Sequence, residues 1–268
     1  MRREVAAELE VEIASPTTLE FQIAVAPHPN ASVSETLSFD LNGSNVEPME
    51  VSGVHGNRIH KLDVPVGNLK VEYSAAIVGR TGPAPVTEYD LSMYLRPSRY
   101  AEADKFYGFA ATEFGNYLDS TTLLAKVSSW VGTRLNYVPG SSDPIDGAVD
   151  TLLAGAGVCR DFAHLCGGVV AGRERSGPGR LGIRAGTVSD DFHAVAEAFV
   201  DGQWRVVDGT LLARRGKRWC GIDTGRDAAD IAFLDNHKGA ITLTKVEVTA
   251  IVHGELPRDS IDQLVSIG

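Results

Sequence analysis

The chain has 268 residues, 43% of them hydrophobic and 22% charged, with a formal net charge of −10. That length allows one large domain or two small ones, and the composition is that of an ordinary globular protein. The acidic balance argues against non-specific binding to nucleic acid or attachment to anionic lipid, because both need a basic surface.

Arg2 and Arg3 resemble the start of a signal peptide, but Glu4, Glu8, Glu10 and Glu12 interrupt any apolar core that would follow. No run of about 18 apolar residues occurs, so no membrane-spanning helix is expected. Residues 8–26 read as two strands. Leu9, Val11 and Ile13 alternate with charges, then Leu19, Phe21, Ile23 and Val25 alternate again. Segments near 36–41, 46–54, 58–64 and 69–78 continue the pattern, with turns at Asn42-Gly43, Gly56-Asn57 and Gly67-Asn68. Residues 1–88 therefore form an N-terminal β-rich, sandwich-like module, and Gly79 to Pro85 read as a linker or long loop.

Beyond the linker the period changes. Residues 98–115 read as a helix with Ser98 as its cap. Residues 120–135 read as a second helix capped by Ser120, with Leu123, Leu124, Val127, Trp130 and Val131 as its apolar stripe. A third helix covers 145–154, and a fourth runs from near Val158 to about Arg173. From Leu181 the pattern turns to strands, and Asp201-Gly202 is a two-residue hairpin signal between Val195–Val200 and Trp204–Val207. Residues 241–253 read as a further strand or a bent pair. Helices followed by an antiparallel sheet make residues 89–268 an α+β domain.

The stretch GVCRDFAHLCGG holds two of the three cysteines. It could be a metal site, half of a disulfide, two core thiols, or one reactive thiol beside a structural one. Three cysteines are too few for a disulfide framework, and free thiols point to a reducing compartment, with the cytoplasm as the expected location. A zinc site from Cys159, His164 and Cys166 is disfavoured, because spacings of five and seven residues do not converge on one side of a helix. No metal or other cofactor is expected. Cys159 falls in the first helical turn, where unpaired N–H groups and the positive end of the helix dipole favour a thiolate. Cys166 lies two turns inside among apolar residues and reads as buried and inert. Cys220 has no visible base beside it. His164 reads as a hydrogen-bonded helix histidine, Arg160-Asp161 as an ion pair bracing the helix start, and 224–235 as a capped short helix.

His193 is the best-placed base. With Asp201-Gly202 as the turn, Val200 pairs with Gln203, Val195 faces Asp208 and His193 faces Thr210. His193 and Asp208 are then diagonal neighbours on one face, roughly 7 Å apart at the backbone and within reach of a His–Asp hydrogen bond. If the start of the Cys159 helix packs on that face, a Cys–His–Asp arrangement closes.

The run GVCRDFAHL followed by FHAVAEAFVDGQWRVVDGT resembles the transglutaminase-like superfamily, a branch of the papain-like cysteine enzymes, over roughly residues 90–235. Matched residue by residue, the resemblance implies Cys159 as nucleophile, His193 as base and Asp208 as the acid that orients it, on a papain-like fold. Two positions depart from the family pattern: Val195 stands where tryptophan is usual, and Gly209 where proline is usual. An oxyanion hole would include the Cys159 N–H, with Tyr137 or Asn136 beside it as candidate for the second donor. The expected activity is thiol-dependent acyl transfer on a peptide or protein amide bond through a thioester. Hydrolysis is the leading outcome, transglutamination to an amine acceptor is the alternative, and a non-catalytic scaffold is the rival from another class. Oligomeric state and substrate identity are not readable from these residues.

Overall fold

In a computed structural model the described residues are 2–79, 86–94, 96–115, 119–173, 180–188, 191–210 and 220–254. Residues 80–85 of the expected linker lie outside them, and so does the side chain of Cys220. The chain begins with seven strands: β1 (Arg2–Ile13), β2 (Thr17–Phe21), β3 (Ala31–Leu41), β4 (Ser44–Asn45), β5 (Met49–Ser52), β6 (Arg58–Val64) and β7 (Gly67–Gly79). Helices α1 (Glu88–Met93), α2 (Tyr107–Phe114) and α3 (Ser120–Arg134) follow, then β8 (Asn136–Tyr137), α4 (Ala148–Ala154), β9 (Ala156–Gly157) and α5 (Cys159–Arg173). The remainder comprises β10 (Arg180–Val188), β11 (Asp191–Val200), β12 (Gln203–Val207), β13 (Cys220–Gly225), α6 (Ala228–Ile231), β14 (Leu234–Asn236) and β15 (Ile241–His253). The architecture is α+β with antiparallel main sheets. No helix among the described residues is long and apolar enough to cross a membrane.

The first unit is a sandwich of two sheets, ordered β15-β1-β7-β3-β4 and β14-β2-β6-β5. Strict alternation drives it: Val5, Ala7, Leu9, Val11 and Ile13 of β1 are buried, while Glu10 and Glu12 stay exposed. Phe21 and Phe39 meet edge to face across the core at 5.4 Å. Asn42 and Gly43 both have positive φ, as a two-residue hairpin turn between β3 and β4 requires. Residues from both ends of the chain build this sandwich, so residues 1–88 alone do not make it. β15 pairs with β1 along its whole length, and β14 pairs with β2. Without β15, the twelve-residue strand β1 would be an open sheet edge.

The second unit is the sheet β12-β11-β10-β13 with α5 across it. α5 begins and ends within a residue of the expected positions. Four helical expectations differ from the structure. The third helix begins at Ala148 rather than 145, and of 224–235 only Ala228–Ile231 is helical, with β13 and β14 taking the flanks. The segment expected to be one helix over 98–115 becomes a 3₁₀ turn at Ala103–Lys105 followed by α2. Tertiary bonds hold its first part open: Tyr100 N–H donates to Asp227 Oδ2 at 2.8 Å, and Tyr100 C=O accepts from Ala148 N–H at 2.8 Å. The cap of α3 is Asp119 rather than Ser120, accepting from Thr122 N–H at 3.0 Å. The Asp201-Gly202 hairpin forms as expected, with φ of 52° and 77° and Val200 opposite Gln203. Its ladder stops at Ala196 and Val207, which leaves Asp208 and Thr210 beyond the paired strand.

Candidate active site

Cys159 is the first residue of α5 and is 9% exposed. The turn before it is wired by Asp161, which is fully buried. Asp161 Oδ2 accepts from Val158 N–H at 2.8 Å and from Ser142 Oγ at 2.6 Å. One of the free donors at the helix start is thereby satisfied. Arg160 pairs with Asp161 at 3.3 Å and donates to Ser142 Oγ and to Asp143 C=O, both at 2.9 Å. The expected Arg160–Asp161 brace is present and also ties the 138–146 loop to the helix. Gly157 is required by close approach, since a Cβ there would lie 2.6 Å from Cβ of Asp161.

The body of α5 packs on Ala196, Ala198, Val200 and Val207. These positions alternate with His193 and Val195 along β11, so the helix lies on the opposite face from the one the sequence argument required. The physical reason is residue size: the small apolar side chains at 194, 196 and 198 admit a helix, whereas the other face carries Glu197 and Phe199. Cys159 meets the sheet at the end of β11 instead, where its Sγ lies 3.9 Å from the Phe192 carbonyl oxygen.

His193 and Asp208 are each 5% exposed. Thr210 joins them. Its hydroxyl donates to Asp208 Oδ1 at 2.6 Å, its N–H donates to the same oxygen at 2.8 Å, and its Oγ1 lies 3.4 Å from His193 Nε2. The Asp208 carbonyl accepts a short hydrogen bond from the Ser128 hydroxyl of α3. Ser128 was not singled out from the sequence, while Thr210 was legible as the residue opposite His193 in the hairpin register.

Cys166 is fully buried, and burial pushes its thiol well above the ordinary cysteine range, reinforced by the Asp208 charge and opposed by a bond from Gly209 N–H. His164 is 1% exposed and stacks on Tyr100 at 5.5 Å. Burial lowers its pKa to about 4, against the opposing pull of Asp227 and Asp161. Its Nε2 accepts from Ala228 N–H at 3.1 Å, at the start of α6. Tyr137 lies opposite Gly157 in the parallel pair β8–β9, with its ring 5.8 Å from that of Phe162 and 42% of its surface exposed. Asn136 is exposed, and its N–H donates to Gly155 C=O.

Residues 109–209 match the model of the Transglutaminase-like superfamily. Over the whole chain the fold is similar to a crystal structure from Cytophaga hutchinsonii described as a candidate cysteine protease. The TM-score is 0.86 at 24% identity, covering 98% of this chain and 96% of that one. The Mycobacterium leprae protein ML0607, itself uncharacterized, is 27% identical over 169 residues, or 59% of this chain and 60% of that protein's length. The periplasmic domain of TgpA from Pseudomonas aeruginosa aligns with a TM-score of 0.41 at 12% identity, over 76% of this chain and 89% of that one.

Within residues 109–209, the two departures from the family pattern have packing correlates. Val195 is 1% exposed. Gly209 sits where a Cβ would lie 2.7 Å from Val131 Cγ1, and a Cβ on Gly132 would lie 2.5 Å from the Gly209 carbonyl oxygen. Helix α3 thus packs directly against the backbone that carries Asp208.

Proposed function

We propose that the protein is a thiol enzyme that hydrolyses amide bonds in a peptide or protein substrate. Cys159 is the nucleophile, His193 the general base and acid, and Asp208 the group that orients His193. The observation that carries this reading is the Asp208–Thr210–His193 chain of polar contacts at the end of β11, where the first residue of α5 brings Cys159 Sγ to the neighbouring carbonyl. Similarity to a candidate cysteine protease supports it through the fold.

In the reaction, His193 takes the Cys159 proton and the thiolate attacks the amide carbonyl carbon. The resulting oxyanion is held by the Cys159 N–H and, as second donor, by the Tyr137 hydroxyl, a role supported by Tyr137 lying opposite Gly157. The C–N bond breaks as His193 gives its proton to the departing amine, leaving a thioester on Cys159. Water then attacks the thioester while His193 takes its proton, and the carboxylic acid leaves as the thiol is restored. Cys159 and Cys166 are both free thiols, which suits a reducing compartment such as the cytoplasm.

The test is mass spectrometry of the protein after exposure to a peptidyl vinyl sulfone and, separately, to a panel of peptide amides with and without a primary amine. The expected result is adduct on Cys159 only, lost in Cys159→Ala, with release of the free acid. Amine-linked product would make the enzyme a transglutaminase. Absence of any Cys159 adduct or amide turnover in the folded protein would overturn the reading in favour of a scaffold.

A further inference from the structure

Resting on the reading of Cys159 and His193 as a catalytic pair, we infer that Phe233 is a positioning residue: its ring stacks on Phe192 and anchors the catalytic end of β11 to the sandwich. Phe233 follows α6, outside the residues that match the family model. The two rings lie nearly parallel, with centroids 4.7 Å apart and an angle of 14° between their planes. Phe192 immediately precedes His193, and its carbonyl oxygen lies 3.9 Å from Cys159 Sγ. One residue therefore holds the stack with its ring and faces the nucleophile with its backbone.

Parity explains where the Phe192 ring goes. Side chains at 192, 194, 196 and 198 share one face of β11. Ala196 and Ala198 pack under the body of α5, and Ala194 meets Ala163 nearer the start of that helix. Phe192 continues the row toward the helix start, and there it packs against the sandwich core together with Phe233. The ladder to β12 ends at Ala196, so among the described residues the ladder at Phe192 runs to Thr187 of β10 alone. A strand end with fewer ladder bonds opens more easily unless side-chain packing holds it. Phe233 supplies that packing and is itself fixed. Its carbonyl accepts from Gln22 N–H at 3.1 Å, while Gln22 Nε2 donates to the carbonyls of Ala232 at 3.2 Å and Asp230 at 3.3 Å. Gln22 is buried, and the residue after Phe233 enters the sandwich as β14, opposite Phe21 of β2. The restraint on the end of β11 thus originates in the sandwich, which fixes the height at which the strand presents its base to the thiol. Such alignment matters, because a misplacement of about 1 Å at a reacting pair can cost on the order of a hundredfold in rate.

The experiment follows Cys159 alkylation by iodoacetamide against pH in the whole protein, comparing the unaltered chain with Phe233→Leu, Phe233→Tyr, Phe39→Leu and His193→Ala. Phe233→Leu keeps an apolar side chain but leaves no ring to stack. It should raise the apparent pKa of Cys159 by roughly one unit, the scale of one weakened contact to a charged group, so that alkylation near pH 6 slows about tenfold. Phe233→Tyr keeps the ring and should restore the unaltered profile. Phe192→Leu should give the same shift, and the double variant no more, because both changes remove one stack. Phe39→Leu weakens the same sandwich core at its contact with Phe21, and should lower the melting temperature while leaving the profile in place. An unmoved profile in Phe233→Leu overturns the inference and leaves the Cys159–His193 reading intact. A shift of equal size in Phe39→Leu also overturns it, since the effect would then be one of general stability. Should Phe233→Leu not fold, Gln22→Ala, which releases the Phe233 backbone, is expected to shift the profile the same way, and an unmoved profile there counts against the inference equally. If the unaltered protein shows an ordinary cysteine profile that His193→Ala does not move, the catalytic reading fails and the inference with it, an outcome read without any Phe233 variant.

Discussion

Around Cys159, at the first residue of α5, the neighbouring groups are polar and wired: Asp161, Arg160, Ser142 and the Phe192 carbonyl. Around Cys166, seven residues on, they are Leu165, Val169, Val170 and the strand residues Ala196 and Ala198. One helix thus carries two thiols in opposite settings. The first lies where backbone N–H groups have no helical partner and the dipole is positive, and the second lies where burial penalises any charge. The setting of a thiol is decided by where along a helix it sits and what packs against it, more than by which residues flank it in the chain. His164, between the two cysteines, belongs with the second setting, because burial keeps its ring neutral.

The largest expected difference is in turnover. Cys159→Ala should lower amide turnover by on the order of 10⁴-fold, whereas Cys166→Ala should leave it unchanged. Equal losses in a steady-state assay would erase the contrast between the two ends.

Asp161→Ala removes the acceptor of the Val158 N–H and the Ser142 hydroxyl. It should destabilise the protein by about 2–4 kcal/mol in urea unfolding. A smaller loss, within 0.5 kcal/mol or so of zero, would mean that water replaces the carboxylate at the helix start.

His164 gives the dry middle of α5 a pH signature. Its folded pKa of about 4 lies below the unfolded value, so the unfolded chain binds the extra proton first as pH falls. Its contribution to stability is full above about pH 6.5, is lost from there to about pH 4, and is flat below that, by about 3 kcal/mol in all. Urea midpoints across this range should flatten in His164→Gln. A slope that persists unchanged would assign the acid sensitivity elsewhere.

Gly209→Ala forces a Cβ against Val131 and should cost about 1–3 kcal/mol while also slowing turnover, because the same backbone carries Asp208. Thermal unfolding and a substrate assay on one preparation would check both effects together. Cys166→Ala, a small loss of buried volume, should cost only about 1–2 kcal/mol, read as a lowered melting temperature with intact Cys159 reactivity.

Much of this was legible in order along the chain. Local chemistry wrote the limits of α5, the Asp201-Gly202 hairpin with its register, the sandwich alternation in β1 and the ion pair at Arg160-Asp161, because each depends on residues a few positions apart. The candidate residues Cys159, His193 and Asp208 came from helix-start chemistry and hairpin parity together with the resemblance of their boxes. Contacts distant in sequence settled the rest. Tyr100, bonded to Asp227 and Ala148, delays the first long helix, and β15 crosses back to cover β1. α5 takes the face of the sheet lined by Ala196 and Ala198, opposite to the one that hairpin parity assigned to His193. Which face of a sheet receives a helix, and which distant strand closes an open edge, depend on side-chain volume and shape summed over many elements, and no local pattern in the chain encodes that sum.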